Sequence, residues 1–139
     1  MSDVISQFSN FAQLAVLNWT YTTIPMTGPN ARPQQWFIGL SSTAPTSTSG
    51  GITEPVGKGY SRKGIIFSPS SGNPGQCVNT ALIQFTASGG GWGIMNYGII
   101  WDGLTLGNVW SFGLLASPKD LEDGDTLQFQ IGALAVGAI

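Results

Sequence analysis

The chain of 139 residues contains no histidine. That removes the commonest general base, the commonest metal ligand and the usual partner of a Ser or Cys nucleophile. The single cysteine, Cys77, lies in Gly75-Gln76-Cys77-Val78 with no cationic residue beside it in sequence. Without such a neighbour, a small buried apolar side chain is the simpler reading than a reactive thiol. The acidic run Asp120, Glu122, Asp123 and Asp125 is the best candidate for a cation site, because oxygen ligands at short spacing can hold Ca²⁺. Its spacing does not match an EF-hand loop, and Asp123-Gly124 reads better as a turn between strands. The other acids, Asp3, Glu54 and Asp102, lie in separate segments, so the facing carboxylates of a glycosidase are not written in the sequence. Gly57-Lys58-Gly59 lacks the preceding apolar strand and following helix of a phosphate loop. Gly89-Gly90-Gly91 precedes a strand and reads as a tight turn. No catalytic residue, cofactor-binding residue or metal ligand is assigned, and the chain is expected not to be an enzyme.

The five tryptophans are the remaining residues with binding chemistry. Exposed tryptophans stack on sugars or anchor protein interfaces. Trp36, Trp92, Trp101 and Trp110 fall on strand-like segments, where core packing is the default. Trp19 stands apart, beside Tyr21 at the edge of a Pro-rich stretch, where a partner could use it. The candidate partner-contacting residues are therefore Trp19, Tyr21, Ile24, Pro25, Met26 and Pro29, with the apolar face of the preceding helix as a second contact.

The elements that would position these residues are mostly strands. Val4, Phe8, Phe11 and Ala15 recur at helical spacing, so a helix is expected from Asp3 to about Leu17, with Ser2 or Asp3 as N-cap and Asn18 as a stop. Pro25, Gly28, Pro29 and Pro33 make Trp19 to Pro33 an extended arm. From Gln35 onward the pattern is β. Strands are expected at Trp36–Ser42, Tyr60–Ser68, Val78–Phe85, Trp92–Trp101, Val109–Ala116, Thr126–Ile131 and Ala133–Ile139. Turns are expected at Ser88–Gly91, Asp102-Gly103, Ser117-Pro118 and Asp123-Gly124. In Trp92–Trp101, strict alternation places Trp92, Ile94 and Ile100 on one face and Met95, Tyr97, Ile99 and Trp101 on the other. Short strands separated by turn-rich loops predict a mainly β protein, an antiparallel β-sandwich of jelly-roll-like form. The expected organisation is residues 1–34 as N-terminal helix and arm, and 35–139 as the sandwich domain.

Bulk properties narrow the function classes. Only 9% of residues are charged while 42% are hydrophobic, and the net charge is −2. Disorder would need the reverse balance. The basic residues, Arg32, Lys58, Arg62, Lys63 and Lys119, make no stripe that could release counterions from a phosphate backbone, so nucleic-acid binding is not expected. No apolar run is long enough to span a bilayer, and no secretory leader is recognisable, so the match of Asn18-Trp19-Thr20 to a glycosylation sequon carries no weight. A lone cysteine fits folding in a reducing cytoplasm. A surface so poor in charge is easiest to understand when neighbours cover much of it.

An ordered set of motifs from Trp36 to the C-terminus carries a family resemblance. Phe37-Ile38-Gly39-Leu40-Ser41-Ser42 is followed by Ala44-Pro45, then Glu54-Pro55-Val56-Gly57-Lys58-Gly59-Tyr60-Ser61-Arg62. Next come Asn79-Thr80, Trp92-Gly93 and Asn96-Tyr97-Gly98-Ile99-Ile100-Trp101-Asp102. Gly113, Pro118-Lys119 and Gly124-Asp125-Thr126-Leu127 close the set. In this order the motifs resemble small tailed-phage virion proteins of the tail-fibre-like and capsid-decoration (cement) kind. Lys58 interrupts the glycine run, and the segment from Trp19 to Gln35 is longer and richer in proline than the resemblance leads one to expect. The resemblance implies a β-sandwich in the virion, assembled in the host bacterial cytoplasm, with no catalytic residues to carry over. The first expectation is a capsid decoration protein, a dimer or trimer that binds the major capsid protein or other virion proteins and stabilises the assembled shell. The alternative is a tail fibre or tail adaptor component that binds the host surface or other tail proteins. It would use the loops Ser41–Gly51 and Ser68–Gly75.

Overall fold

The cleanest alternation in the chain, Thr126-Leu127-Gln128-Phe129, becomes a strand, and it pairs antiparallel with Ile83–Thr86. Leu127, Phe129, Ile83 and Phe85 turn inward and are buried. On the wet face Gln84 Nε2 donates to Gln128 Oε1 at 2.9 Å and the Thr86 and Thr126 hydroxyls meet at 2.9 Å. Burying each large apolar side chain contributes about 1.5–3 kcal/mol. A surface hydrogen bond contributes about 0.5–1.5 kcal/mol net. The buried face therefore sets the register and the polar face follows it.

The computed structural model describes residues 3–5, 7–69, 71–72 and 75–137. In chain order the elements are β1 (Asp3–Val4), β2 (Gln7–Phe8), α1 (Asn10–Tyr21), β3 (Trp36–Ser41), β4 (Lys63–Ile65), β5 (Gln76–Val78), β6 (Ile83–Thr86), β7 (Gly93–Trp101), β8 (Val109–Leu121), β9 (Thr126–Phe129) and β10 (Leu134–Gly137). A central sheet of order β2-β8-β7-β3-β4 is antiparallel throughout. One of its faces contributes Ile38, Leu40, Met95, Ile100, Leu115 and Leu121 to the main core. The second layer consists of the β6-β9 pair and the sheet β1-β10-β5, which bring Phe85, Phe129 and Leu134 to the same core. The protein is a mainly β, antiparallel β-sandwich with one α-helix and a single 3-10 turn, Gly28–Asn30, among the described residues. A smaller cluster of Ile99, Val109 and Phe112 lies on the other face of the central sheet, with Ile52 and Trp101 packed against it.

The N-terminal segment departs from the helix expected from Asp3. Asp3–Val4 and Gln7–Phe8 are strands instead: β1 pairs parallel with β10, and β2 pairs antiparallel with β8. Glycine at two positions makes room for this. Gly98 and Gly113 are cross-strand neighbours. A Cβ on Gly113 would lie 2.7 Å from the Val4 carbonyl oxygen, and one on Gly98 would lie 2.9 Å from Ile5 Cδ1. The pair opens a depression in the sheet, and the fully buried Ile5 fills it. Asp3 does not cap a helix; its carboxylate accepts from the Ala116 backbone N–H at 2.6 Å. Ser2, the other expected cap, lies outside the described residues.

The helix starts instead at Ser9, which is fully buried. Its Oγ accepts from the Ala12 N–H at 3.1 Å and donates to the Val109 carbonyl at 2.6 Å, while its own N–H donates to the Trp110 carbonyl at 3.0 Å. One side chain thus caps the helix and fastens it to β8. The helix runs past Asn18 to Tyr21 and ends where Thr22 folds back, its N–H and Oγ1 both reaching the Asn18 carbonyl. Of the face expected to be buried, Phe11 is 43% exposed, and Ala12 is the helix residue that is buried.

Four further expectations are corrected. Met95 joins Ile100 in the main core rather than sharing a face with Ile99, because the β7–β8 register shifts between Met95 and Tyr97; Ile94 is left 52% exposed. Ser117-Pro118 is not a turn but part of the long β8. Lys119 opposes Met95 and Leu114 opposes Tyr97, so residues 115–118 bulge against Asn96, a place where a proline without an N–H costs no ladder bond. The segment Val78–Phe85 is split into β5 and β6 by the buried Asn79. Its Nδ2 donates to Ala81 and Gln130 carbonyls and its Oδ1 accepts from the Leu134 N–H. Ile131 leaves the alternation of β9 and lies 69% exposed in the following turn. Residues 138 and 139 of the last expected strand lie outside the described residues.

Candidate interaction surface

The arm is attached to the sandwich through Trp110, and a β-bulge puts Trp110 where it can do this. Ile100 pairs with Ser111 and Trp101 with Val109, so β8 has one extra residue at Trp110. In such a bulge two successive side chains share a face. Val109 and Phe112 go to the smaller cluster, while Trp110 and Ser111 both turn to the other side. There Trp19 stacks on Trp110 (centroids 5.6 Å, interplanar 19°), and Phe11 and Trp36 meet it edge-on at 5.4 and 5.2 Å. Trp19 Nε1 donates to the Asn30 carbonyl at 2.7 Å, and Trp110 Nε1 donates to Asp102 Oδ2 at 3.0 Å. Trp19 is thus turned inward, clamping the far end of the arm onto the body.

The other arm candidates face outward. Tyr21 is 80% exposed, Met26 48% and Ile24 40%, and Pro25 and Pro29 are exposed as well. The helix adds Leu14 at 62% and Leu17 at 52%. From Asn10 to Ala31 the chain has no charged residue. The structure brings α1 against Pro29, Asn30 and Ala31 of the arm, and this stretch without charge exposes several large apolar side chains.

A second constellation, given no role by the sequence reading, surrounds Arg62. This side chain is buried, and Glu54 holds it with two bonds, Nε to Oε2 at 3.1 Å and Nη2 to Oε1 at 2.8 Å. Its guanidinium lies 3.5 Å from the centre of the Trp101 ring. Nη1 donates to the carbonyls of Gly103 and Leu106 at 2.8 and 2.7 Å. The Tyr60 hydroxyl donates to Glu54 Oε2 and accepts from the Leu40 N–H at 3.0 Å. β4 ends its pairing with β3 at Ile38–Lys63, so Tyr60 stands in for a strand at Leu40. Burial and then the Glu54 bond push the Tyr60 phenol far above its ordinary range, which keeps it protonated. Gly39 gives this cluster its space: a Cβ there would lie 2.9 Å from both Glu54 Oε2 and Trp101 Nε1. The signal was present in the sequence as Gly39, Glu54, Tyr60 and Arg62 of the motif series, but only the fold brings them to one point.

Residues 7–137 match the family model described as podophage GP4 fiber I protein gp80. The chain belongs to this family of phage fibre proteins. It is accordingly a phage structural protein of the virion. A search of curated proteins finds no match to it. The family match takes in α1 and the arm, beyond the stretch from Trp36 onward that carried the resemblance.

In this fibre-family protein two of the four acidic sequence candidates, Asp123 and Asp125, have structural partners. Asp123 Oδ1 accepts from the Gly89 N–H at 3.0 Å, and Asp125 Oδ2 accepts from the Glu122 N–H at 3.1 Å. Asp123 ties the β8–β9 turn to the glycine turn before β7, and Asp125 closes the β8–β9 turn on itself. Among the described residues no group of three or more His, Cys, Asp or Glu side chains is arranged to hold a metal ion. Cys77 is half-buried and lines an apolar groove beside Trp110. The loop Ser41–Gly51 is braced internally by Ser41, Thr43 and Thr46, and its Ser47 carbonyl accepts from the Asn10 N–H at 2.8 Å. Of the loop Ser68–Gly75, Ser70, Asn73 and Pro74 lie outside the described residues. Among the described residues no helix is long and apolar enough to cross a membrane.

Proposed function

We propose that this chain is a non-enzymatic structural subunit of the virion's fibre apparatus, assembled against other virion proteins through α1 and the arm. The observation that carries the reading is the charge-free segment from Asn10 to Ala31. It exposes Leu14, Leu17, Tyr21, Ile24 and Met26, while Trp19 holds its geometry from below. An exposed apolar surface of this kind is an interaction site or an aggregation hazard, and a fixed place in an assembly resolves the hazard. Membership of a phage fibre family supports a fibre location over the head-shell decoration role expected first from the sequence. The polar groups with binding chemistry also support a structural role, because Arg62, Glu54, Tyr60 and Asp102 are occupied in bracing loops.

Copy number in purified particles tests the location. Quantitative mass spectrometry against the major capsid protein is expected to give a small multiple of three or six copies, following tail symmetry. A count comparable to the capsid subunits would replace the fibre reading with the decoration reading.

A further inference from the structure

β1 and β2 are held by few ladder bonds. β1 lies at the edge of the sheet β1-β10-β5, and β2 lies at the edge of the central sheet. Each ladder is two residue pairs long. The segment thus crosses from one layer to the other and is an edge in both. It can leave without pulling any other pair of strands apart.

The site it occupies is shaped for it. Gly98 and Gly113 face each other in the middle of β7 and β8, where glycine weakens a strand and marks the close approach of another backbone or a ligand. Neither adopts a positive φ, so the backbone conformation does not call for glycine there. What the pair supplies is room. A Cβ on Gly98 would also lie 3.3 Å from Ile38 Cδ1 and 3.4 Å from Leu115 Cδ2, so these side chains wall the socket that Ile5 fills. Other contacts read the backbone and the residue two places earlier. The Asp3 and Ile5 N–H groups donate to the Ala133 and Ala135 carbonyls at 2.6 and 2.7 Å, and the Asp3 carboxylate accepts from the Ala116 N–H. The socket therefore recognises an extended segment with a branched aliphatic side chain and a carboxylate two residues before it.

Ser9 marks where a release would stop. It follows β2 directly and is fastened to β8 by its own bonds, N–H to the Trp110 carbonyl and Oγ to the Val109 carbonyl. These bonds do not use the β1 or β2 ladder. Phe11 and Trp19 hold the helix against Trp110 as well. Helix and arm can therefore stay in place when β1 and β2 go.

We propose that β1, Ile5 and β2 form a detachable strap hinged at Ser9, and that the Gly98–Gly113 socket is a binding site for an extended peptide with an Asp-X-Ile pattern. The strap is the resident ligand of that site, bound in cis. An incoming peptide competes with it, so the apparent affinity is set by the fraction of molecules in which the strap is off. The inference does not depend on the fibre reading, because the purified chain and a synthetic peptide test it.

The first measurement is native-state hydrogen exchange of the wild-type chain in low urea. The Asp3 and Ile5 amides are expected to exchange together, with protection at least about tenfold below that of the β7 and β8 amides and with little dependence on urea, as a local opening gives. The Ser9 amide is expected to stay protected when they exchange. The second measurement is fluorescence anisotropy of a labelled peptide, Asp-Val-Ile-Ser-Gln-Phe, added to the full chain. Ile5→Ser loosens the strap and leaves the socket intact, so this variant is expected to bind the peptide at least about tenfold more tightly than the wild type. The same peptide with serine in place of isoleucine is expected not to bind. The proposal is overturned if the wild-type Asp3 and Ile5 amides exchange only with global unfolding, a result that does not depend on any variant folding. It is also overturned if Ile5→Ser, with the near-ultraviolet circular dichroism of the wild type, binds neither peptide or both alike.

Discussion

Arg62→Met tests the most consequential side chain in the fold. Arginine at this position makes two bonds to Glu54, two to the carbonyls of Gly103 and Leu106, and a face contact with Trp101. Methionine fills much of the same volume but leaves Glu54, whose side chain is 19% exposed, without its cation. Removing one member of a buried ion pair costs about 3–5 kcal/mol, mainly because the other charge stays desolvated and unpaired. Partial exposure of Glu54 places the expected loss near the lower end, about 3 kcal/mol. At about 2–4 °C per kcal/mol this lowers Tm by roughly 6–12 °C. The assay is urea unfolding followed by tryptophan fluorescence, with urea chosen because it does not screen the ion pair. The double variant Glu54→Leu/Arg62→Met is expected to recover part of the loss, since an apolar pair of similar size avoids the orphaned charge. A loss below about 1 kcal/mol for Arg62→Met, a value typical of surface pairs, would refute the argument. So would a double variant whose loss equals the sum of the two singles.

Tyr60→Phe is expected to cost about 1–3 kcal/mol, because the Leu40 N–H loses its acceptor beyond the end of β4. The folded protein holds the Tyr60 proton more tightly than the unfolded chain does. The stability from this group is therefore complete below the ordinary tyrosine pKa near 10 and lost as pH rises beyond it; a pH series of unfolding midpoints should fall less steeply above about pH 10 in Tyr60→Phe than in the wild type. Ser9→Ala is expected to cost about 1–3 kcal/mol, removing the helix cap and leaving the buried Val109 carbonyl without its donor; far-ultraviolet circular dichroism should show α1 fraying first. Trp19→Ala should release the arm, giving faster hydrogen exchange across residues 22–34, whereas Tyr21→Ser, Ile24→Ser and Met26→Ser should each shift stability by less than about 0.5 kcal/mol and weaken incorporation into particles.

The β architecture was legible because burial enforces alternation. Leu127 and Phe129 on β9, Ile38 and Leu40 on β3, and the apolar run of β7 are readable as strands from the residues alone. The errors came where two periods fit the same residues. Val4 and Phe8 suit a helix stripe, yet the Gly98–Gly113 depression draws Ile5 and its neighbours into the sheets. Ser117-Pro118 looks like a turn, and only the register with Met95 shows it to be a bulge inside β8. The arm was recognised from its prolines, and Tyr21, Ile24 and Met26 do face outward. Trp19 does not, because its partner Trp110 is re-aimed by a one-residue bulge that no local pattern reveals. The Arg62 cluster depends on residues from four separate segments, so its motif letters could be read while its purpose could not.

The most direct test of the account is a cryo-electron-microscopy map of the intact particle, with this chain fitted into it. The account predicts density in the fibre apparatus, with α1 and residues 22–34 buried against neighbouring subunits. Density spread over the icosahedral head shell, or fibre density in which Tyr21, Ile24 and Met26 face solvent, would contradict it.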